Sequence, residues 1–208
     1  MTMQIVGMLD SPFVRRVAVS ASMMGLAFEH RSISILRQMD QFRSISPLLK
    51  VPVLVCDDGE VLNDSNLILD YLETLVGLDK RLLPSHPTSR RRAAQLIGIA
   101  LIACEKTVQH LYETQLRPAD KQYEPWLARV RAQLEDAWAL LEPAAAAASP
   151  WLLGATLTQA DVTLAVAWRF NQYAQPGLSD AARYPALAAL SAKAETLPEF
   201  IAYPVDKQ

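Results

Sequence analysis

The chain has 208 residues, 51% hydrophobic and 20% charged, with a formal net charge of −2 at pH 7. This is the balance of an ordinary globular protein, and it lacks the basic face that a nucleic-acid binder needs to track phosphates. Two cysteines, Cys56 and Cys104, make no disulfide framework and there is no CxxC, so a reducing, cytoplasmic compartment and no metal site are expected.

Met3 to Met8 is a short apolar stretch that reads as a buried strand. No basic segment and long apolar run stand there, so a secretory leader is not expected. Ser11-Pro12 is a helix start, because serine caps open backbone N–H groups and proline fits the first helical position. Val14, Val17, Ala18, Ala21 and Met24 follow at helical spacing until Gly25. Phe28 to Ile33 alternates and predicts a second strand, and Arg37 to Ile45 reads as a weak, polar helix of irregular character. Val51 to Cys56 predicts a third strand, Asp57-Asp58-Gly59 a hairpin turn, and Glu60 to Leu62 a return strand. After Asn63-Asp64-Ser65, the residues Leu67, Ile68, Tyr71, Leu72 and Leu75 line one face of a helix. The order βαβαββα predicts an α/β unit, a mixed four-stranded sheet with helices on its faces.

Leu83-Pro84-Ser85-His86-Pro87 breaks that pattern, and no strand is predicted beyond it. Arg90, Arg91 and Arg92 read as a solvated helix face. Ile97, Leu101, Cys104, Val108 and Leu111 recur at spacings of four and three, as do Leu127, Val130, Leu134, Ala137, Leu141 and Ala144. Two long amphipathic helices are the simplest solution. The apolar run from Ala93 to Cys104 is too short to span a bilayer. Thr158 and Asp161 form a variant capping box before a helix that runs to about Tyr173, and a shorter helix follows Pro185.

Three features of the first unit bear on chemistry, and each has a plain structural reading beside it. Ser11 opens a helix directly after a strand, where partial positive charge and open donors favour an anion such as a thiolate; it is equally a cap. Val51-Pro52 precedes a strand, and a cis bond there would present backbone to an extended peptide; a trans proline at a strand entry is the alternative. Asp64-Ser65 opens the third helix, where a carboxylate and a hydroxyl beside N–H donors can hold both ends of an amino acid; it also serves as a cap.

Taken together, Ser11-Pro12-Phe13-Val14-Arg15-Arg16-Val17, Lys50-Val51-Pro52-Val53-Leu54, and Asp64-Ser65 with Ile68, Tyr71, Leu72 and Glu73 resemble the first domain of cytosolic glutathione transferases of bacterial type. Trp151-Leu152-Leu153-Gly154, Leu157-Thr158 and Ala160-Asp161-Val162 resemble that family's second domain. The resemblance runs over the whole chain in order. It implies a thioredoxin-like domain over 1–78, a linker over 79–86 and an all-α helical domain over 87–208. It implies a homodimer that takes glutathione as co-substrate and activates its thiol for attack on a hydrophobic electrophile, with no membrane or nucleic-acid partner. A non-catalytic glutathione-binding or protein-interaction module on the same scaffold is the alternative. Carried over by position, Ser11 is the catalytic residue facing the sulfur. Val51 pairs with the cysteinyl backbone beside a cis Pro52, Lys50 meets the glycyl carboxylate, and Asp64 and Ser65 hold the γ-glutamyl end. Phe13 and Tyr112 border the second-substrate pocket, with Trp168 and Tyr173 as further lining candidates. The sequence departs from the family pattern at Leu49, where glycine is common, and at Asp64, where glutamate is. Asp10 is expected to point to solvent.

Overall fold

The computed structural model describes residues 2–205, which fall into two compact units, 2–82 with the tail 197–205, and Leu83–Thr196. In the first unit, β1 (Met3–Val6), α1 (Pro12–Met23), β2 (Phe28–Arg31), α2 (Met39–Arg43), β3 (Val53–Val55), β4 (Val61–Asn63) and α3 (Ser65–Thr74) follow in order. The sheet order is β2-β1-β3-β4. β1 and β2 are parallel, whereas β3 runs antiparallel to both β1 and β4. This is the mixed four-stranded sheet of a thioredoxin-like domain.

The strands are shorter than their apolar runs. Pro52 has no N–H to give a ladder, so β3 begins at Val53. The hairpin closes where Cys56 N donates to Glu60 O at 2.8 Å, which moves the return strand one residue on from its expected place. The segment read as a weak, irregular helix holds the five-residue α2. Its single buried anchor, Phe42, packs on Val6, Ile33 and Val53, and one anchor leaves no periodicity to read.

The tail also departs from expectation. Assigned to the helical domain, residues 197–205 pack instead with the first unit. There α8 (Pro198–Ala202) buries Phe200, and Arg15 Nε on α1 donates to Tyr203 O at 2.8 Å. Tyr203 stacks on Phe28 with ring centroids 5.4 Å apart.

The second unit holds α4 (Pro87–Leu111), α5 (Glu124–Ala146), α6 (Gln159–Ala174) and α7 (Pro185–Ala194). Helix α6 is buried along most of its length. Its Trp168 meets Trp138 edge-on at 5.1 Å and Tyr184 at 6.0 Å. Glu142 on α5 caps α7, accepting from Ala186 N at 2.8 Å and Leu187 N at 2.9 Å. Among the described residues, no helix is long and apolar enough to cross a membrane.

Candidate functional site

Ser11 is the N-cap of α1, with φ −75° and ψ 122°. Its Oγ accepts from Val14 N at 3.4 Å, a long bond, and its own N–H donates to Met8 O at 3.1 Å. Pro12 fills the first helical position. The hydroxyl therefore stands at the positive end of a twelve-residue helix without being tightly held by it. Asp10 does not point freely into solvent as expected. It is half-buried, and that burial pushes its carboxyl up, opposed by a backbone hydrogen bond from Ser11 and by the charge of Arg37.

The Val51–Pro52 bond is cis. Pro52 is buried and Val51 half-buried, while Lys50 is exposed. Leu49 has φ +49°, the left-handed region that suits the glycine common there in the family. The residue that brings this loop against α1 is Gly7, which the sequence reading passed over. A Cβ on Gly7 would come within 2.6 Å of Val14 Cγ2 and 2.9 Å of Val51 Cγ1. Its φ of +134° also excludes most side chains. A lone glycine inside the apolar stretch Met3 to Met8 was the one available signal.

Asp64 caps α3 from a left-handed backbone, φ 71°. Its Oδ1 accepts from Asn66 N at 2.8 Å and from Leu67 N at 3.4 Å. Ser65 is buried while Asp64 and Asn66 are exposed. The α3 N-terminus is tied to α1 by a second residue missed in the sequence, Arg16. Its Nη1 donates to Ser65 Oγ and to Asn66 Oδ1, both at 2.9 Å. The charged pair Arg15-Arg16 between the apolar Val14 and Val17 was the trace it left in the sequence. Gly7 thus lies closely between Val14 of α1 and Val51, and Arg16 joins α1 to the Ser65 turn.

The pocket candidates divide. Phe13 is half-buried on α1. Tyr112 lies in the helical unit, in an open cleft of about 550 Å³ lined by Val108, Tyr112, Leu116, Arg117 and Trp126 among others. Here α4 continues into a π-helical turn over Tyr112–Leu116, a wide turn often found at functional sites. Glu113 fixes it, accepting from Arg117 Nε at 2.8 Å and from Tyr123 N at 3.0 Å. Trp168 is no lining residue: it is 4% exposed in the aromatic core, whereas Tyr173 is exposed.

The glutathione S-transferase N-terminal domain family model matches residues 5–80, and the corresponding C-terminal domain model matches residues 124–192. YibF of Escherichia coli K12, an uncharacterised GST-like protein, is 31% identical over 140 residues, 67% of this chain and 68% of YibF. A glutathione S-transferase of Methylobacterium radiotolerans, solved with glutathione sulfonate, superposes with a TM-score of 0.89 at 26% identity, covering 100% of this chain and 97% of its own. A glutathione transferase family member of Pseudomonas fluorescens Pf-5, solved with bound glutathione, gives 0.84 at 28% identity, covering 97% and 98%. With both domain models matched in order and a relative this similar over two thirds of either chain, the protein belongs to the glutathione transferase family.

Proposed function

We propose that this chain binds glutathione in its first unit and transfers it to an apolar electrophile, with Ser11 donating a hydrogen bond to the thiolate. The observation that carries the reading is the α1 N-terminus. Ser11 caps it, Gly7 brings the Val51 loop against its first turn, and Arg16 one turn later holds Ser65. A thiolate at that helix end gains from the dipole and from a hydroxyl donor, so its pKa falls and more nucleophile exists at neutral pH. Ser11 needs only to donate, since its own hydroxyl is far too weak an acid to ionise there.

In this reading Val51 offers backbone to the cysteinyl residue, Lys50 meets the glycyl carboxylate, and Asp64 and Ser65 receive the γ-glutamyl end. Tyr112, with the cleft it lines in the helical unit, is assigned to the second substrate. Leu116 and Trp126, which also line the Tyr112 cleft, suit an aromatic or aliphatic electrophile. The chain is assigned as a homodimer. Leu67, 67% exposed two residues after Ser65, is an apolar side chain that a partner would cover. Sedimentation that returns a single 23.0 kDa chain at all concentrations would remove the dimer from the proposal.

The test of the central claim is titration of the bound thiol by thiolate absorbance, in the native protein and in Ser11→Ala. The expected result is a depressed thiol pKa that rises in the variant, with turnover falling alongside. An unchanged pKa and unchanged turnover would take Ser11 out of the mechanism. Glutathione binding without turnover of any electrophile or hydroperoxide would leave a binding module instead.

A further inference from the structure

Arg16 is 2% exposed, in the second turn of α1. A buried guanidinium is costly unless its donors are used. One of its nitrogens, Nη1, reaches two oxygens at the start of α3, Ser65 Oγ and Asn66 Oδ1, each at 2.9 Å. Arginine has donors and no acceptor, so Ser65 Oγ must be the acceptor in this pair. The serine's own proton is then directed elsewhere. Ser65 is also the first residue of α3, where backbone N–H groups point out of the helix. The next two, those of Asn66 and Leu67, are already taken by Asp64 Oδ1.

Resting on the glutathione reading above, we infer that Arg16 is a positioning residue for recognition of the γ-glutamyl α-carboxylate, committing Ser65 Oγ–H to donate into it. With Arg16 in place, Ser65 presents its hydroxyl as a donor beside its N–H. Two donors from one residue match the two oxygens of a carboxylate. With Arg16 gone, the Ser65 hydroxyl can donate to Asn66 Oδ1, which Arg16 now occupies, and turns away from the ligand. Arg16 touches no reacting atom, so its effect falls on affinity and on KM for glutathione, with kcat at saturation nearly unchanged.

The experiment compares two ligands on the full chain by calorimetry: glutathione, and γ-aminobutyryl-cysteinylglycine, which is glutathione without its α-carboxylate. Arg16→Met keeps the apolar stem and removes the donors. It is expected to weaken glutathione roughly tenfold, the value of one charge-assisted hydrogen bond, and to leave the analogue's affinity as it was. Arg16→Lys, which also can only donate, restores part of the loss. In a Ser65→Ala background Arg16→Met adds no further loss. Equal weakening of both ligands, or an undiminished Arg16 effect without the Ser65 hydroxyl, overturns the inference. Should Arg16→Met fail to fold by circular dichroism, Ser65→Ala alone carries the two-ligand comparison, and equal loss for both again overturns it. A native chain that binds neither ligand overturns the glutathione reading itself, and this inference with it.

Discussion

Asp161 Oδ1 accepts from the backbone N–H of Leu152 at 2.8 Å, tying the connector before α6 to the helix's first turn. Its other oxygen accepts from Thr158 N and Thr158 Oγ1, both at 2.8 Å. Asp161 is fully buried, and that burial pushes its carboxyl up against the pull of these hydrogen bonds. Because α6 lies within the helical unit, loss of this carboxylate leaves three donors unmet inside it. Asp161→Ala is expected to destabilise the protein by about 3 kcal/mol or more, and Asp161→Asn by less, since an amide oxygen still accepts. Urea unfolding followed by tryptophan fluorescence reads both, and a loss under about 1 kcal/mol for the alanine variant would contradict the network's role.

Tyr184 sets an alkaline limit on stability. Burial, together with its 2.8 Å hydrogen bond to the Glu135 carboxylate, pushes its phenol from 10 up to about 12. The folded state therefore keeps this proton in a range where the unfolded chain has released it. The native state binds more protons between those values, so its stability is full below pH 10 and falls as pH rises toward about 12. Tyr184→Phe removes that slope. Urea midpoints at about pH 9 and about pH 11 should converge for the two proteins as pH rises; a constant gap would show that Tyr184 does not titrate in this window.

What could be read in advance was whatever lies along one element. The apolar spacing of α1, α3, α4 and α5 and the Thr158–Asp161 capping box of α6 marked those helices, and Ser11-Pro12, Val51-Pro52 and Asp64-Ser65 marked turns by their local chemistry. What could not be read depends on residues far apart in the chain. Arg16 meets Ser65 across 49 positions, and Arg15 meets Tyr203 across 188. Helix α2 hangs on one aromatic anchor, Phe42, whose partners are three separate strands or loops. The tail shows no periodicity because Phe200 and Tyr203 act as isolated plugs on the first unit.

Gly7 offers a direct probe of how closely the Val51 loop approaches α1. Gly7→Ala places a methyl 2.6 Å from Val14 Cγ2 and 2.9 Å from Val51 Cγ1, at a φ of +134° that side chains resist. The expected cost is about 2–3 kcal/mol, from overpacking and backbone strain together. Val51→Ala removes one of the two clashes, so the double variant should recover part of the loss relative to the sum of the singles. Strict additivity in thermal unfolding would mean the two residues do not press on each other.

At Ser11, stability and chemistry can be separated. Its hydroxyl reaches Val14 N only at 3.4 Å, near the limit of a useful hydrogen bond. Ser11→Ala should therefore cost less than about 1 kcal/mol of stability, the low side for loss of a helix cap. Ser11→Thr keeps a hydroxyl and serves as the control. If Ser11 donates to a bound thiolate, the alanine variant loses thiol acidity and turnover while its unfolding curve barely moves, and the threonine variant retains part of both. A large stability loss in Ser11→Ala, with the thiol pKa of bound glutathione unmoved, would assign the residue to the cap alone. The long Ser11–Val14 bond argues against that outcome, because a hydroxyl engaged mainly in capping would sit closer to the N–H it serves.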